Sequence, residues 1–400
     1  MRRILADRPR WVRRVGARPV AVFPVRYDGK LLPLSLTKLY PHRRARRPNA
    51  DGDHGRMPAD EHLRQPDRSL RPRRAATPSF FFCQVVVGIC MSQPATSFSV
   101  IVTSYNYRDF VIEAVQSALT QSRKAAQVIV VDDGSTDGSD VLLREYFGSD
   151  ERVLLICGTN GGQLEAFQRG VAKVDADVVC FLDSDDRWAP DYLARLGELY
   201  DNRRDVDFVF TDMKHFGEEN KLVGFHRSAL DLGYTAVITY ALTRWYGAPT
   251  SALSMRATWA RKVVDVPDSF RDTWRLSADN CLVFGASVLG ARKYYLPTGC
   301  VDYRIHGKNG WWSNRSASVA YTNRLRSRGL IGYYARVAGL DESCIELSKL
   351  EYKTKPSPLW AETKRYAALA MRGRAPWWKR VEHMLAILFG SRASTQPRSD

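Results

Sequence analysis

The 400 residues are 44% apolar, an ordinary globular composition that suffices for one large domain or two modest ones with a buried core. The net charge of +17 is unevenly spread, because residues 1 to 90 carry 18 Arg and 2 Lys against 7 Asp or Glu and leave the rest close to neutral. "FFFCQVVVGIC", at 80 to 90, is about half the length of a membrane-spanning helix and no other stretch is long enough, which argues against an integral membrane protein.

The basic N-terminal stretch contains "RPRWVRR", "PHRRARRPNADGDHGR" and "RQPDRSLRPRRAATP". These pieces lack helical or strand periodicity, and Trp11 is their single aromatic residue, too little interleaving for stacking bases. Residues 1–91 are therefore expected to be a disordered extension, and no nucleic-acid partner is expected. Met91 opens "MSQPATSFSVIVTSYN", a short polar lead into a strand, and is expected to be the true start, preceded by an over-extended reading frame. The seven cysteines, Cys83, Cys90, Cys157, Cys180, Cys281, Cys300 and Cys344, stand singly without a CxxC or zinc spacing. Such usage suits a reducing compartment and a cytoplasmic location.

From residue 98 a regular alternation begins. Apolar strands are expected at 98–103, 127–132, 153–157, 177–182 and 206–211, with helices between them. In the first helix Phe110, Val111, Ala114, Val115, Ala118 and Leu119 recur on one face. Near-continuous apolar strands separated by helices predict an α/β fold, a mostly parallel sheet with helices on both faces. After residue 212 the pattern loosens, with a strand expected in "YTAVITY", helices near 257–265 and 279–289, and a strand pair near 293–305. Residues 313–400 read as a mainly helical C-terminal region.

In a parallel sheet ligands bind outside the carboxyl ends of the strands. Here those ends run into "TSYNY", "DDGSTDGS", "GTNGGQ" and "DSDD". Two carboxylates about 5 Å apart repel by roughly 3 kcal/mol at an effective dielectric of 20. Asp183, Asp185 and Asp186 at one strand end therefore point to a hard divalent cation, completed by substrate phosphates. Solvated acids ahead of a helix are the other reading of an isolated DSDD. Asp132 and Asp133 end a second strand, where a carboxylate accepts from a base N–H or a ribose hydroxyl; Asp137 reads as a helix cap. Gly161 and Gly162 form a turn suited to close approach of a ligand.

The four motifs "VTSYN", "VDDGSTD", "NGGQ" and "FLDSDD", in this order, make the segment from about 98 to 306 resemble the family 2 glycosyltransferases, inverting enzymes of GT-A fold that use nucleotide sugars. The resemblance implies a donor pocket from Thr103, Tyr105, Asn106 and Asp132 with Asp133 nearby, and a metal, Mn2+ or Mg2+, held by the motif of Asp183 and Asp185. It implies Asp185 as the best ligand, Asp279 in "RLSADNC" as the catalytic base with Asp272 as fallback, and His306 in "YRIHG" as a ligand to metal or diphosphate. The implied transferase domain covers 92–312. Its expected reaction moves a sugar, from a UDP-sugar by preference, to a glycan or lipid-linked acceptor in polysaccharide assembly. Ala278 stands where the family often has an acid, which leaves a non-catalytic nucleotide-sugar-binding protein as the alternative.

Trp311 with Trp312 and Trp245 with Tyr246 are candidate acceptor platforms, with packing as the competing role. Trp377, Trp378, Val381, Met384, Leu385 and Leu388 share one face of the last helix, which either packs on the domain or meets a membrane surface. A receiver-type phosphorylation module is excluded because a strand precedes the acidic pair and "YTAVITY" does not end in lysine. A dinucleotide dehydrogenase is excluded because no GxGxxG follows the first strand.

Overall fold

The computed structural model describes residues 25–27, 30–32, 94–306 and 316–390. The chain divides into two units, Met1–Val86 and Val87–Asp400. In the first, β1 (Val25–Tyr27) pairs antiparallel with β2 (Lys30–Leu32). The Arg- and Pro-rich pieces, and the expectation that they are disordered, lie outside the described residues.

The second unit runs β3 (Phe98–Ser104), α1 (Arg108–Leu119), β4 (Gln127–Asp132), α2 (Ser139–Phe147), β5 (Val153–Cys157), α3 (Gln163–Val171), β6 (Val178–Asp183), β7 (Arg187–Trp188), α4 (Tyr192–Asn202) and β8 (Phe208–Thr211). It continues with β9 (Met213–Gly217), β10 (Lys221–Val223), β11 (Leu230–Gly233), α5 (Ala236–Leu242), β12 (Leu253–Arg256), α6 (Ala257–Val264), α7 (Ser269–Thr273), α8 (Asp279–Leu289), β13 (Lys293–Leu296) and β14 (Val301–Ile305). The last helices are α9 (Ala317–Val337), α10 (Ser348–Lys353), α11 (Trp360–Ala370) and α12 (Trp377–Gly390).

Eight strands form the main sheet in the order β11-β13-β8-β12-β6-β3-β4-β5. β3 is parallel to β4 and β6, β4 to β5, and β13 to β8, while β12 and β11 run against their neighbours. The sheet is thus mostly parallel, as the alternating pattern predicts. Every residue of β3 is buried, so both faces of the central strand are covered, and its unbroken apolar run has that physical cause. A smaller sheet, β10-β9-β14-β7, stands beside the main one.

Two elements differ from the sequence reading. "YTAVITY" forms helix α5, because buried Glu351 accepts from the Val237 and Ile238 amides at 2.6 and 3.0 Å and supplies the helix start that its β-branched residues do not favour. β13 and β14 do not pair with each other: β13 joins the main sheet and β14 the smaller one.

The C-terminal helices are tied in by buried polar contacts. Tyr334 of α9 donates to the Val263 carbonyl at 2.6 Å, and Tyr246 donates to Glu362 of α11 at 2.6 Å. Tyr246 is fully buried and therefore packs rather than facing an acceptor. Trp311 and Trp312 lie outside the described residues.

Candidate active site

Strand register assembles the site. Thr103 pairs with Asp183 between β3 and β6, and Ser104 with Asp132 between β3 and β4, so these residues reach one edge together. The Thr103 hydroxyl donates to Asp183 Oδ1 at 3.3 Å. Because β12 runs antiparallel to β6, the 3-10 turn Thr250–Ala252 before it also lies at this edge. Ser251 Oγ accepts from the Asp183 amide at 3.0 Å and donates to Asp186 Oδ2 at 2.6 Å.

The three carboxylates of the DSDD turn divide their work. Asp186 is buried and accepts from the Arg304 amide at 2.7 Å as well as from Ser251, so it pins the turn to β14. Arg304 also donates to the Asp185 carbonyl and pairs with Glu113. Asp185 Oδ2 lies 3.0 Å from His306 Nε2. The His306 ring is flanked by Tyr107 and Phe110, with centroids 5.8 and 5.5 Å away, and burial together with the charge of Asp185 raises the Tyr107 phenol.

Burial and the charges of Asp185 and Asp279 push the Asp183 carboxyl up to about 8. Burial alone lifts Asp279, the first residue of α8, to about 6, against the opposing pull of the Asn280 amide. Asp183 therefore stands within electrostatic reach of both Asp185 and Asp279. Asp272, the fallback base, is exposed on α7.

The remaining candidates shape the nucleotide side. Asp132 accepts from the Ser135 amide and hydroxyl at 2.9 and 2.6 Å. Asn106, at φ 59°, accepts from the Thr136 amide at 2.7 Å and donates its own amide to Ser135. Asp133 accepts from the Gly161 and Gly162 amides at 2.8 and 2.7 Å, which fixes the NGGQ turn. The carboxylate oxygens of Asp132 and Asp133 each keep a further lone pair, whereas Asn106 Oδ1 also accepts from the Thr136 hydroxyl, and Tyr105 is 46% exposed at the same edge. Asp137 does act as a cap, accepting from Ser139 at the start of α2 and from the Arg108 amide.

Sequence reasoning missed Tyr107, Gln163, Ser251 and Tyr303. Tyr303 is raised by burial and then by the fields of all four acids, which places its phenol beside them. Tyr107 directly follows the TSYN motif, Gln163 closes the NGGQ motif and Tyr303 opens YRIHG, so these three carried a positional signal; Ser251 carried none.

Known proteins resemble the chain over this region. The family described as Glycosyl transferase family 2 matches residues 99–259, which include the four strand-end loops and stop short of Asp279 and His306. An uncharacterized glycosyltransferase of Nostoc sp. is 32% identical over 60% of this chain and 78% of its own length. A putative teichuronic acid biosynthesis glycosyltransferase of Bacillus subtilis is 39% identical over 28% of this chain and 45% of its own length. Among solved structures, S. aureus TarS in complex with UDP is 14% identical, with a TM-score of 0.43 over 73% of this chain and 70% of that one. Identity sustained over most of the Nostoc protein, together with the match across the strand-end loops, shows that the chain belongs to glycosyl transferase family 2.

Proposed function

We propose that this family 2 glycosyltransferase moves a sugar from a nucleotide-sugar donor, UDP-sugars first, to an acceptor hydroxyl with inversion. The observation that carries the reading is the strand register that brings Thr103, Asp132 and Asp183 to one sheet edge, where Gln163 ties Asp183 to the Ala278–Asp279 start of α8. Polysaccharide assembly as the setting is supported by the teichuronic acid role in the name of the Bacillus relative.

Asp279 is the general base. A carboxyl raised to about 6 is ionised at neutral pH yet more basic than an exposed aspartate, which suits drawing a proton from an attacking hydroxyl. Thr103, Asp132, Asp133 and Asn106 hold and shape the nucleotide side, and Tyr105 offers an exposed ring face to the base.

The donor set fits a hard divalent ion, Mn2+ or Mg2+. A carboxylate oxygen and an imidazole nitrogen lie 3.0 Å apart at Asp185 and His306. Among the described residues no group of three His, Cys, Asp or Glu is arranged to enclose a metal, so Asp185 and His306 would hold the ion only together with substrate oxygens and water. Such an ion, when bound, neutralises charge gathering on the leaving diphosphate.

The non-catalytic alternative has one observation behind it: Ala278, beside Asp279, is buried and its amide is engaged by Gln163, leaving no second acid there. A thermal-shift panel of nucleoside diphosphates and nucleotide sugars, with and without Mn2+, followed by donor hydrolysis, decides between the two. Metal-dependent stabilisation with turnover supports the transferase; binding without turnover on any acceptor supports the alternative.

We place the site of action at the cytoplasmic face of a membrane. Cys157, Cys180, Cys281, Cys300 and Cys344 are all free. No described helix is long and apolar enough to span a bilayer. α12 packs through Ile387 while Trp377, Trp378 and Phe389 remain 65%, 57% and 63% exposed beside Lys379, a composition suited to an anionic lipid surface. Co-sedimentation with anionic vesicles, lost in W377S/W378S, tests that contact.

A further inference from the structure

We propose that Gln163 is a positioning residue for transfer, which holds the Asp183 carboxylate and the N-terminus of α8 in one fixed geometry through the two ends of its amide. The inference rests on the transferase reading above and concerns how its two halves are kept in register.

Nε2 donates to Asp183 Oδ1 at 3.0 Å and to Thr250 Oγ1 at 3.3 Å, while Oε1 accepts from the Ala278 amide at 2.9 Å. The orientation is dictated by its neighbours. Exchanging oxygen and nitrogen would set a carbonyl against a carboxylate and an NH2 group against a backbone N–H. The backbone joins in, because the Gln163 amide donates to the Arg275 carbonyl at 2.9 Å. α8 has no side-chain cap from its own N-cap residue, so the acceptor near its start comes from a residue 115 positions away.

The NGGQ turn is built to press Gln163 against this segment. Asp133 holds the Gly161 and Gly162 amides, and Gly162 lies at φ +88° where a Cβ would come within 2.7 Å of Arg275 Cα. Asp279 begins α8 one residue after Ala278, so a displacement at Gln163 is delivered directly to the proposed base. Gln163 thus reaches Asp183 with one end of its amide and the residue before Asp279 with the other. In-line displacement depends on small distances, and misplacement by about 1 Å costs on the order of a hundredfold in rate.

The test compares full-length wild type, Gln163→Ala and Gln163→Glu. For Gln163→Ala we expect kcat at least tenfold lower, with the donor KM and the calorimetric UDP Kd within threefold of wild type, and faster amide exchange across 278–282. Gln163→Glu keeps an acceptor for the Ala278 amide but lacks the NH2 donor to Asp183 and Thr250, so its kcat should also fall at least tenfold with the UDP Kd within threefold of wild type. Wild-type kcat in a folded Gln163→Ala protein, or a loss shared equally by Kd and kcat, overturns the proposal. If Gln163→Ala does not fold, wild-type kcat in Gln163→Glu overturns it instead. A wild type that neither binds nor turns over nucleotide sugars removes the transferase reading and this proposal together, while an active wild type with indifferent variants removes this proposal alone.

Discussion

Asp185 Oδ2 and His306 Nε2 lie 3.0 Å apart although 121 residues separate them in the chain, and the contact joins the DSDD turn to the end of β14. Phe110 and Tyr107 pack around the imidazole, so its position is set by α1 as well as by β14. On the proposed metal-dependent reading these two atoms, held in place by packing, would share one ion.

Replacing either member should therefore weaken metal use rather than folding. Asp185→Asn is expected to lower donor turnover at least a hundredfold, and His306→Ala about tenfold with a higher Mn2+ concentration for half-activity. Mn2+ titration of hydrolysis, paired with calorimetry in the presence of UDP, checks both. Equal Mn2+ dependence in all three proteins would dissociate the pair from metal binding.

Asp279 carries the second expectation. General-base assistance contributes typically 10²–10⁴-fold, so Asp279→Asn should lose turnover on that scale while holding UDP within a few fold. Because burial lifts this carboxyl to about 6, wild-type kcat should climb with pH through that value and level off above it. The variant should show no such climb.

Much of the frame was legible in the sequence because its causes are local. Unbroken apolar runs such as Val128–Val131 mark strands covered on both faces, and polar residues directly after them mark the sheet edge. The α5 segment was misread because its helix start is supplied by Glu351, 114 residues away, against the β preference of Val237, Ile238 and Thr239. In the same way Ser251 owes its role to β12 lying antiparallel to β6, and Gln163 owes its role to a loop 115 residues on. Pairings of that span have no periodic trace. α12 shows the complementary case, where a clear amphipathic pattern did not disclose which residues of the stripe, Trp377 or Ile387, would be covered.

Stability should fall with pH in a way traceable to Asp183. Its carboxyl is lifted to about 8 by burial and neighbouring acids, against roughly 3.9 in an unfolded chain. A raised carboxyl contributes stability that is present in full below the unfolded value, declines as pH rises, and is gone above about 8. Asp183→Asn cannot ionise. In chelator it should melt above wild type at pH 8.5, with the difference shrinking toward pH 5; a constant difference would assign the effect to packing.

Gly162→Ala tests the turn that seats Gln163. The residue lies at φ +88° with Arg275 Cα 2.7 Å from where the new Cβ would stand, so strain and overlap add. We expect a loss of about 1–3 kcal/mol by urea unfolding. Turnover should fall further than stability, because the 275–278 loop must retreat and Asp279 follows it.

Glu351 provides the last expectation, and it concerns how the C-terminal helices are held. The carboxylate is 6% exposed and accepts from two amides at the start of α5 and from the Tyr366 hydroxyl at 2.7 Å. Burial raises its pKa while Lys355 opposes that rise, so the group is paired rather than abandoned. Glu351→Ala leaves two helix-start amides and the Tyr366 hydroxyl without their acceptor, while Lys355 keeps the Leu232 and Tyr234 carbonyls, and each buried donor left unsatisfied costs about 1–3 kcal/mol. Glu351→Gln should fall between, since one amide oxygen can serve one N–H while its NH2 group confronts the other. If the helices from α9 onward share the cooperative unit of the sheet, fluorescence and far-ultraviolet circular dichroism of Glu351→Ala will report one shifted urea transition. Two separated transitions would mean that α10 and α11 unfold on their own, and that Glu351 stabilises α5 without coupling it to the sheet.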